Sequence, residues 1–170
     1  MTRRRMVLTA LFTAVMCVVA PISIPLGPIP ITFMNFVIFL SLYLLGVRGG
    51  TLACFLYLVL GAIGLPVFAG FAGGIGAFAG PTGGYLIGYI PLAVVSGIII
   101  EKFSKKRSIC ILGMIAGLVV CYFCGTVWFC YSMQMSPAEA ILLCVIPFLP
   151  GDAIKIALVS VVGPALKKCI

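Results

Sequence analysis

The sequence predicts an all-α integral membrane protein: six transmembrane helices in a single compact bundle, one domain over residues 1–170, with a Gly-rich external loop between the third and fourth helices. Three observations carry that prediction. Hydrophobic residues make up 64% of the chain and charged residues 8%, with a mean hydropathy of +1.34. A water-soluble fold of this size could not cover its surface with so few polar groups. Apolar runs recur near 6–24, 31–47, 50–65, 83–101, 108–131 and 139–166, several of them close to the ~20 residues that cross a bilayer. Ten of the eleven basic residues then fall on the termini and on alternate connections.

Taken in order, Thr2-Arg3-Arg4-Arg5 leads into the first run without a small-residue cleavage site, which predicts a retained helix instead of a removed signal peptide. The second and third runs are short and suit central or tilted helices. Arg48-Gly49-Gly50 between them predicts a tight turn. The fourth run ends at Lys102, Lys105, Lys106 and Arg107, and the sixth at Lys167 and Lys168. Segments 21–30, 66–82 and 132–138 carry no Lys or Arg. Cytoplasmic loops are enriched in these residues, so both termini are expected in the cytoplasm. The net charge of +8 is therefore a matter of topology. A nucleic-acid surface is excluded, because the charges are scattered over short flanks without interleaved aromatics.

Ten of the twenty glycines fall between residues 61 and 88. Each interior Gly costs a helix ~1 kcal/mol relative to Ala, so this stretch predicts irregular backbone. It stays apolar, with Phe68, Phe71 and Phe78 along it. Irregular backbone at membrane depth belongs where it is buried in protein or lines a cavity. The expectation is a loop that folds down over a pocket. Close helix packing through small residues suits Gly84 and Gly88, whereas Gly80-Pro81-Thr82-Gly83-Gly84 is turn chemistry.

The candidate site lies in Pro147-Phe148-Leu149-Pro150-Gly151-Asp152-Ala153-Ile154-Lys155. Asp152 is the sole aspartate, and Lys155 is the one basic residue outside a flank or loop. Three residues apart on a helix, the two project from nearly the same face. A charge at bilayer depth costs ~2.5–3.5 kcal/mol on insertion scales, so the pair needs a compensating role. Either it neutralises itself and locks two helices together, or it serves a polar ligand. Lys155 lies about 18 Å and Asp152 about 22 Å from Lys167 at 1.5 Å per residue, in the outer half of the bilayer. Pro147 and Pro150 predict an interrupted helix that restarts near Gly151.

Other chemistries find little support. The chain has no His and eight Cys. Cys121-Tyr122-Phe123-Cys124 has metal or redox spacing but no second pair, so it reads as core packing. No phosphate loop is present, since Gly73-Gly74-Ile75-Gly76 lacks the Gly-Lys-Ser/Thr ending. Neither a Ser–His dyad nor a two-aspartate site can be built. A Ser–Lys hydrolase using Lys155 with Ser160 or Ser96 stays formally open, as does a purely structural subunit. No metal or cofactor is implied.

Gly64-Leu65-Pro66-Val67-Phe68-Ala69-Gly70, Gly80-Pro81-Thr82-Gly83-Gly84-Tyr85-Leu86-Ile87-Gly88 and the Pro147–Lys155 segment closely resemble BioY, the biotin-binding S component of energy-coupling factor (ECF) transporters. Ile24-Pro25-Leu26-Gly27-Pro28-Ile29-Pro30-Ile31-Thr32 and Gly125-Thr126-Val127-Trp128 extend the match to nearly the whole chain. The resemblance implies biotin capture from outside, in a cavity roofed by the first and third external loops. The implied setting is a prokaryotic plasma membrane, and the implied role is high-affinity uptake without catalysis. The implied partners are an EcfT-type transmembrane coupling subunit and two cytoplasmic ATPases. Ala10 and Ala14, in the family's Ala-xxx-Ala pattern, would contact the coupling subunit, and small residues at that spacing do permit close helix approach. The same architecture could serve another small vitamin.

Substrate-binding candidates are Asp152, Lys155, Tyr85, Thr82, Gly74, Phe71, Trp128 and Asn35. Asp152 can accept from ureido N–H groups, and Lys155 can donate to a carbonyl or carboxylate. Tyr85, Trp128 and the loop phenylalanines can pack on the rings. Met34-Asn35 departs from the Gln-Thr pair frequent in the family at the start of helix two, with Asn35 able to supply the amide.

Overall fold

The computed structural model describes residues 3–25, 29–103 and 106–169. Leu26, Gly27 and Pro28 of the first-loop motif and Lys105 of the basic flank lie outside them, as does the side chain of Lys168. The described chain is nearly all helical: α1 (Arg3–Val19), α2 (Met34–Ala62), a one-turn α3 (Gly76–Ala79), α4 (Gly83–Lys102), α5 (Arg107–Met133), α6 (Pro137–Cys144) and α7 (Leu149–Cys169). Two short strands, β1 (Ser23–Ile24) and β2 (Ile31–Thr32), pair antiparallel between α1 and α2. Among the described residues, four helical stretches are long and apolar enough to cross a membrane: Met34–Ala62, Gly83–Lys102, Arg107–Met133 and Pro137–Lys167.

The second and third apolar runs are not separated where the sequence suggested. Arg48, Gly49 and Gly50 are helical, and the break is at Gly46, with φ 73° and ψ −176°. That region of backbone space is essentially reserved for Gly. On a straight helix Asn35 and Tyr57 would stand about 33 Å apart, yet both line one cavity. The chain therefore doubles back at Gly46. Gly49 and Gly50 serve packing instead: a Cβ on Gly50 would lie 2.7 Å from a Leu42 methyl. Glu101, at the end of α4, accepts the Val47 backbone N–H at 2.9 Å and so caps the restarting helix.

Prolines set two further boundaries. α1 stops at Val19, short of the expected residue 24, because Pro21 cannot continue a helix and disfavours helical backbone before it. At the other end of the chain, α6 is separated from α7 by a single tight turn, Ile146–Phe148. α7 restarts at Leu149, two residues before the expected Gly151. Pro150 is tolerated there because first-turn N–H groups have no helical partner to lose.

α4 and α5 form the most extensive helix pair. Gly113, Gly117, Cys121 and Gly125 recur every fourth residue along α5 and let α4 approach. A Cβ on Gly117 would stand 2.0 Å from Ser96 Oγ, and one on Gly125 would stand 2.3 Å from the Tyr85 ring. The described basic flanks gather at one end of the bundle, through Val47–Glu101 and through Arg107, which donates to Ser160 Oγ. The loops and the start of α7 occupy the other end.

Candidate functional site

A cavity of about 200 Å³ sits at the loop end, between the β1–β2 segment, the Gly-rich loop and α2, α4, α5 and α7. Its polar side is built on Asp152 and Lys155. They lie one helical turn apart at the start of α7, 3% and 5% exposed. Lys155 Nζ donates to Asp152 Oδ1 at 2.8 Å and to the Thr32 carbonyl at 2.7 Å. It also lies 5.7 Å from the centroid of the Phe33 ring, within range of a cation–π attraction.

Two more elements converge on Asp152. Tyr122 of α5 donates its hydroxyl hydrogen to Asp152 Oδ2. Asn35, in the first turn of α2, donates from Nδ2 to Oδ2 at 3.3 Å and to Oδ1 at 3.5 Å. An ionised carboxylate only accepts, so the Asn35 amide nitrogen must face it and Oδ1 must face away. That Oδ1 is buried and has no hydrogen-bond partner among the described residues. The cluster thus presents a charged acceptor, an ammonium and an unpaired amide carbonyl within one small space.

The remaining walls are aromatic. Tyr57, Phe68, Tyr85, Tyr89 and Phe148 all line the cavity, as does Thr82. Phe68 is fixed edge-on against Tyr57 and Phe78, with centroid separations of 5.6 and 5.5 Å. Its ring also packs on Gly61, where a Cβ would fall 2.1 Å from it. Tyr85 turns its ring to the cavity while its hydroxyl donates to the Cys144 carbonyl at 3.1 Å, tying α4 to the end of α6. Such a chamber fits a compact ligand with a planar polar head and an apolar body.

Five of the eight sequence candidates, Asp152, Lys155, Asn35, Tyr85 and Thr82, meet in this cavity. Phe71, Gly74 and Trp128 stand outside its lining. Phe71 points outward, 69% exposed, and Phe68, Ala69, Ala72 and Ala77 supply the loop's contribution. Trp128 lies behind the wall, where Nε1 donates to the Gly80 carbonyl at 2.9 Å and holds the end of the loop. Residues that the sequence did not single out are Tyr122, Tyr89, Tyr57 and the Thr32 carbonyl. A polar hydroxyl at bilayer depth was the available signal for the tyrosines. Neither candidate hydrolase serine is a partner of Lys155, and Ser160 Oγ bonds Arg107 and the Ala157 carbonyl. Ala10 and Ala14 are exposed on α1, beside the buried Thr9 and Thr13.

Comparison with known proteins gives a consistent result. The model of the BioY family matches residues 1–170. The biotin transporter BioY of Thermotoga maritima is 42% identical over 165 residues, covering 97% of this chain and 96% of that protein. The probable biotin transporter BioY of Pyrococcus horikoshii is 35% identical over 167 residues, covering 98% of each. Among solved structures, the S-component for biotin from an ECF-type ABC transporter superposes with a TM-score of 0.91 at 28% identity, covering 99% of this chain and 95% of that one.

Proposed function

The chain belongs to the BioY family, and from that premise we propose that its loop-end cavity captures biotin for import. It is a biotin-binding membrane subunit of an ECF-type ABC transporter and not an enzyme. The observation that carries the site is the convergence of Asn35, Tyr122 and Lys155 on the buried Asp152 carboxylate.

Biotin combines a ureido ring, with two N–H donors and a carbonyl, a thioether ring and an acyl tail ending in carboxylate. In this reading the ureido head meets the polar cluster. Asp152 accepts one N–H in place of Asn35, whose bonds of 3.3 and 3.5 Å lie at or beyond the outer limit and exchange at little cost. Asn35 Oδ1 is then placed to accept the other N–H. Lys155 offers its third proton to the ureido oxygen. The rings of Tyr57, Phe68, Tyr85 and Phe148 pack on the thioether ring, and Thr82 lies toward the loop where the tail leaves.

The wider reading is one six-helix domain in a prokaryotic plasma membrane. The helical segments 3–19, 34–45, 47–62, 83–102, 107–133 and 137–167 are its spans, the doubled-back α2 supplying two. The gathered basic flanks support a cytoplasmic side for both termini. Uptake requires a transmembrane coupling subunit and two ATPases, with α1 as the docking helix through Ala10 and Ala14. The direct test is calorimetric titration of biotin into the detergent-purified chain. Saturable one-site heat is expected. No heat with biotin, or saturation by a different vitamin only, would overturn the reading.

A further inference from the structure

The biotin cavity shares one wall with a second, larger recess. That recess is an apolar groove of about 990 Å³ between α5 and the α6–α7 side of the bundle, lined by Val119, Phe123, Ile141, Ala153 and Ala157 among others. Two of the described residues, Tyr122 and Asp152, line both spaces. On the α7 side its lining includes the small side chains of Ala153 and Ala157. Between α5 and α7 the described side-chain hydrogen bonds join Tyr122 to Asp152 and Arg107 to Ser160.

We propose that Tyr122 is the specificity wall of the site: its ring, standing between the two spaces, refuses ligands that carry a substituent at the polar head. The proposal rests on the biotin reading above. Asp152 is fixed in place by Lys155 and Asn35 as well as by Tyr122, so the tyrosine ring is the part of the partition that can be removed. Without it, a cavity of about 200 Å³ opens into one of about 990 Å³. The groove's lining is apolar, so what the opened site admits is an alkyl group and not a polar one.

The test compares biotin with its two mono-N-propyl derivatives, one on each ureido nitrogen, by competition binding to the full chain in lipid nanodiscs. The wild type is expected to bind biotin and reject both derivatives. Excluded methylene groups in such pockets are worth roughly 10- to 200-fold. The derivative-to-biotin affinity ratio should rise by about that factor for at least one derivative in Tyr122→Ala, and also in Tyr122→Val, which retains more packing. Tyr122→Phe keeps the ring and should keep the rejection. Refilling the groove in Tyr122→Ala/Ala153→Phe should bring the derivative-to-biotin ratio back down. An unchanged ratio in the Ala and Val variants, or an equal rise in Tyr122→Phe, would overturn the wall. Loss of biotin binding by the wild type would instead remove the premise, and so the two failures are distinct.

Discussion

Replacing Asp152 with Asn leaves the side chain's shape in place and removes its charge. The structure places three donors on that carboxylate: the Lys155 ammonium at 2.8 Å, the Tyr122 hydroxyl and the Asn35 amide. Asn offers one acceptor oxygen to all three and turns an NH₂ toward at least one of them. Lys155 keeps the Thr32 carbonyl at 2.7 Å and the Phe33 ring at 5.7 Å, but no counter-charge. Both partners of the ion pair are nearly buried, at 6% and 4% side-chain exposure. Breaking one side of such a pair costs ~3–5 kcal/mol of stability. The ligand meanwhile loses a charge-assisted hydrogen bond worth ~1.5–3 kcal/mol, which weakens biotin roughly 10- to 150-fold. The two effects are separable. Asp152→Asn/Lys155→Gln removes the orphaned ammonium, so it should regain most of the thermal stability and none of the affinity. Calorimetric titration and a melting curve on the same preparation read both quantities. A well-folded Asp152→Asn variant with unchanged biotin affinity would refute the site, and a neutral double variant that restores affinity would refute the role of charge.

Four further outcomes are expected. Ala10→Trp with Ala14→Trp adds bulk to the outward face of α1, so biotin binding should persist while pull-down of the coupling subunit and ATP-driven uptake are lost; normal assembly would rule out α1 as the docking helix. Gly46→Ala forces a side chain into a Gly-only backbone region, which costs ~1–3 kcal/mol, with its Cβ 3.0 Å from Glu101 Oε2. Its melting temperature should fall well below that of Gly151→Ala, whose added Cβ meets nothing within 4 Å; equal melting would mean the break is unstrained. The Gly-rich loop should gain hydrogen-exchange protection when biotin binds, and equal protection with and without biotin would make it a rigid roof. Where that loop meets α4, Gly83→Ala is expected to lower the melting temperature, since its Cβ would sit 1.8 Å from the Phe78 carbonyl oxygen, whereas Gly74→Ala within the loop meets no neighbour and carries only the strain of φ +88°.

Much of this protein is legible in the chain alone, because the bilayer leaves few alternatives. An apolar run in a membrane becomes a helix since its backbone groups must be satisfied internally. Pro21, Pro147 and Pro150 end or restart helices within a few residues of where they stand, through their missing N–H. The Asp152–Lys155 spacing predicts a shared helix face, and the two side chains do meet there. What tertiary structure alone decided is which face meets which neighbour. The fold-back sits at Gly46 and not at Arg48-Gly49-Gly50: each of these glycines could turn, and at Gly46 the restarting Val47 N–H meets the Glu101 carboxylate from another helix. In the Gly-rich loop the backbone has so many permitted paths that spacing cannot say which Phe points inward; packing on Gly61, Tyr57 and Phe78 selects Phe68 over Phe71. Tyr122 was read only as part of a cysteine motif, since its partner lies 30 residues away in sequence. Contacts of that range are made by helices choosing registers against one another, and local propensity carries no information about the register.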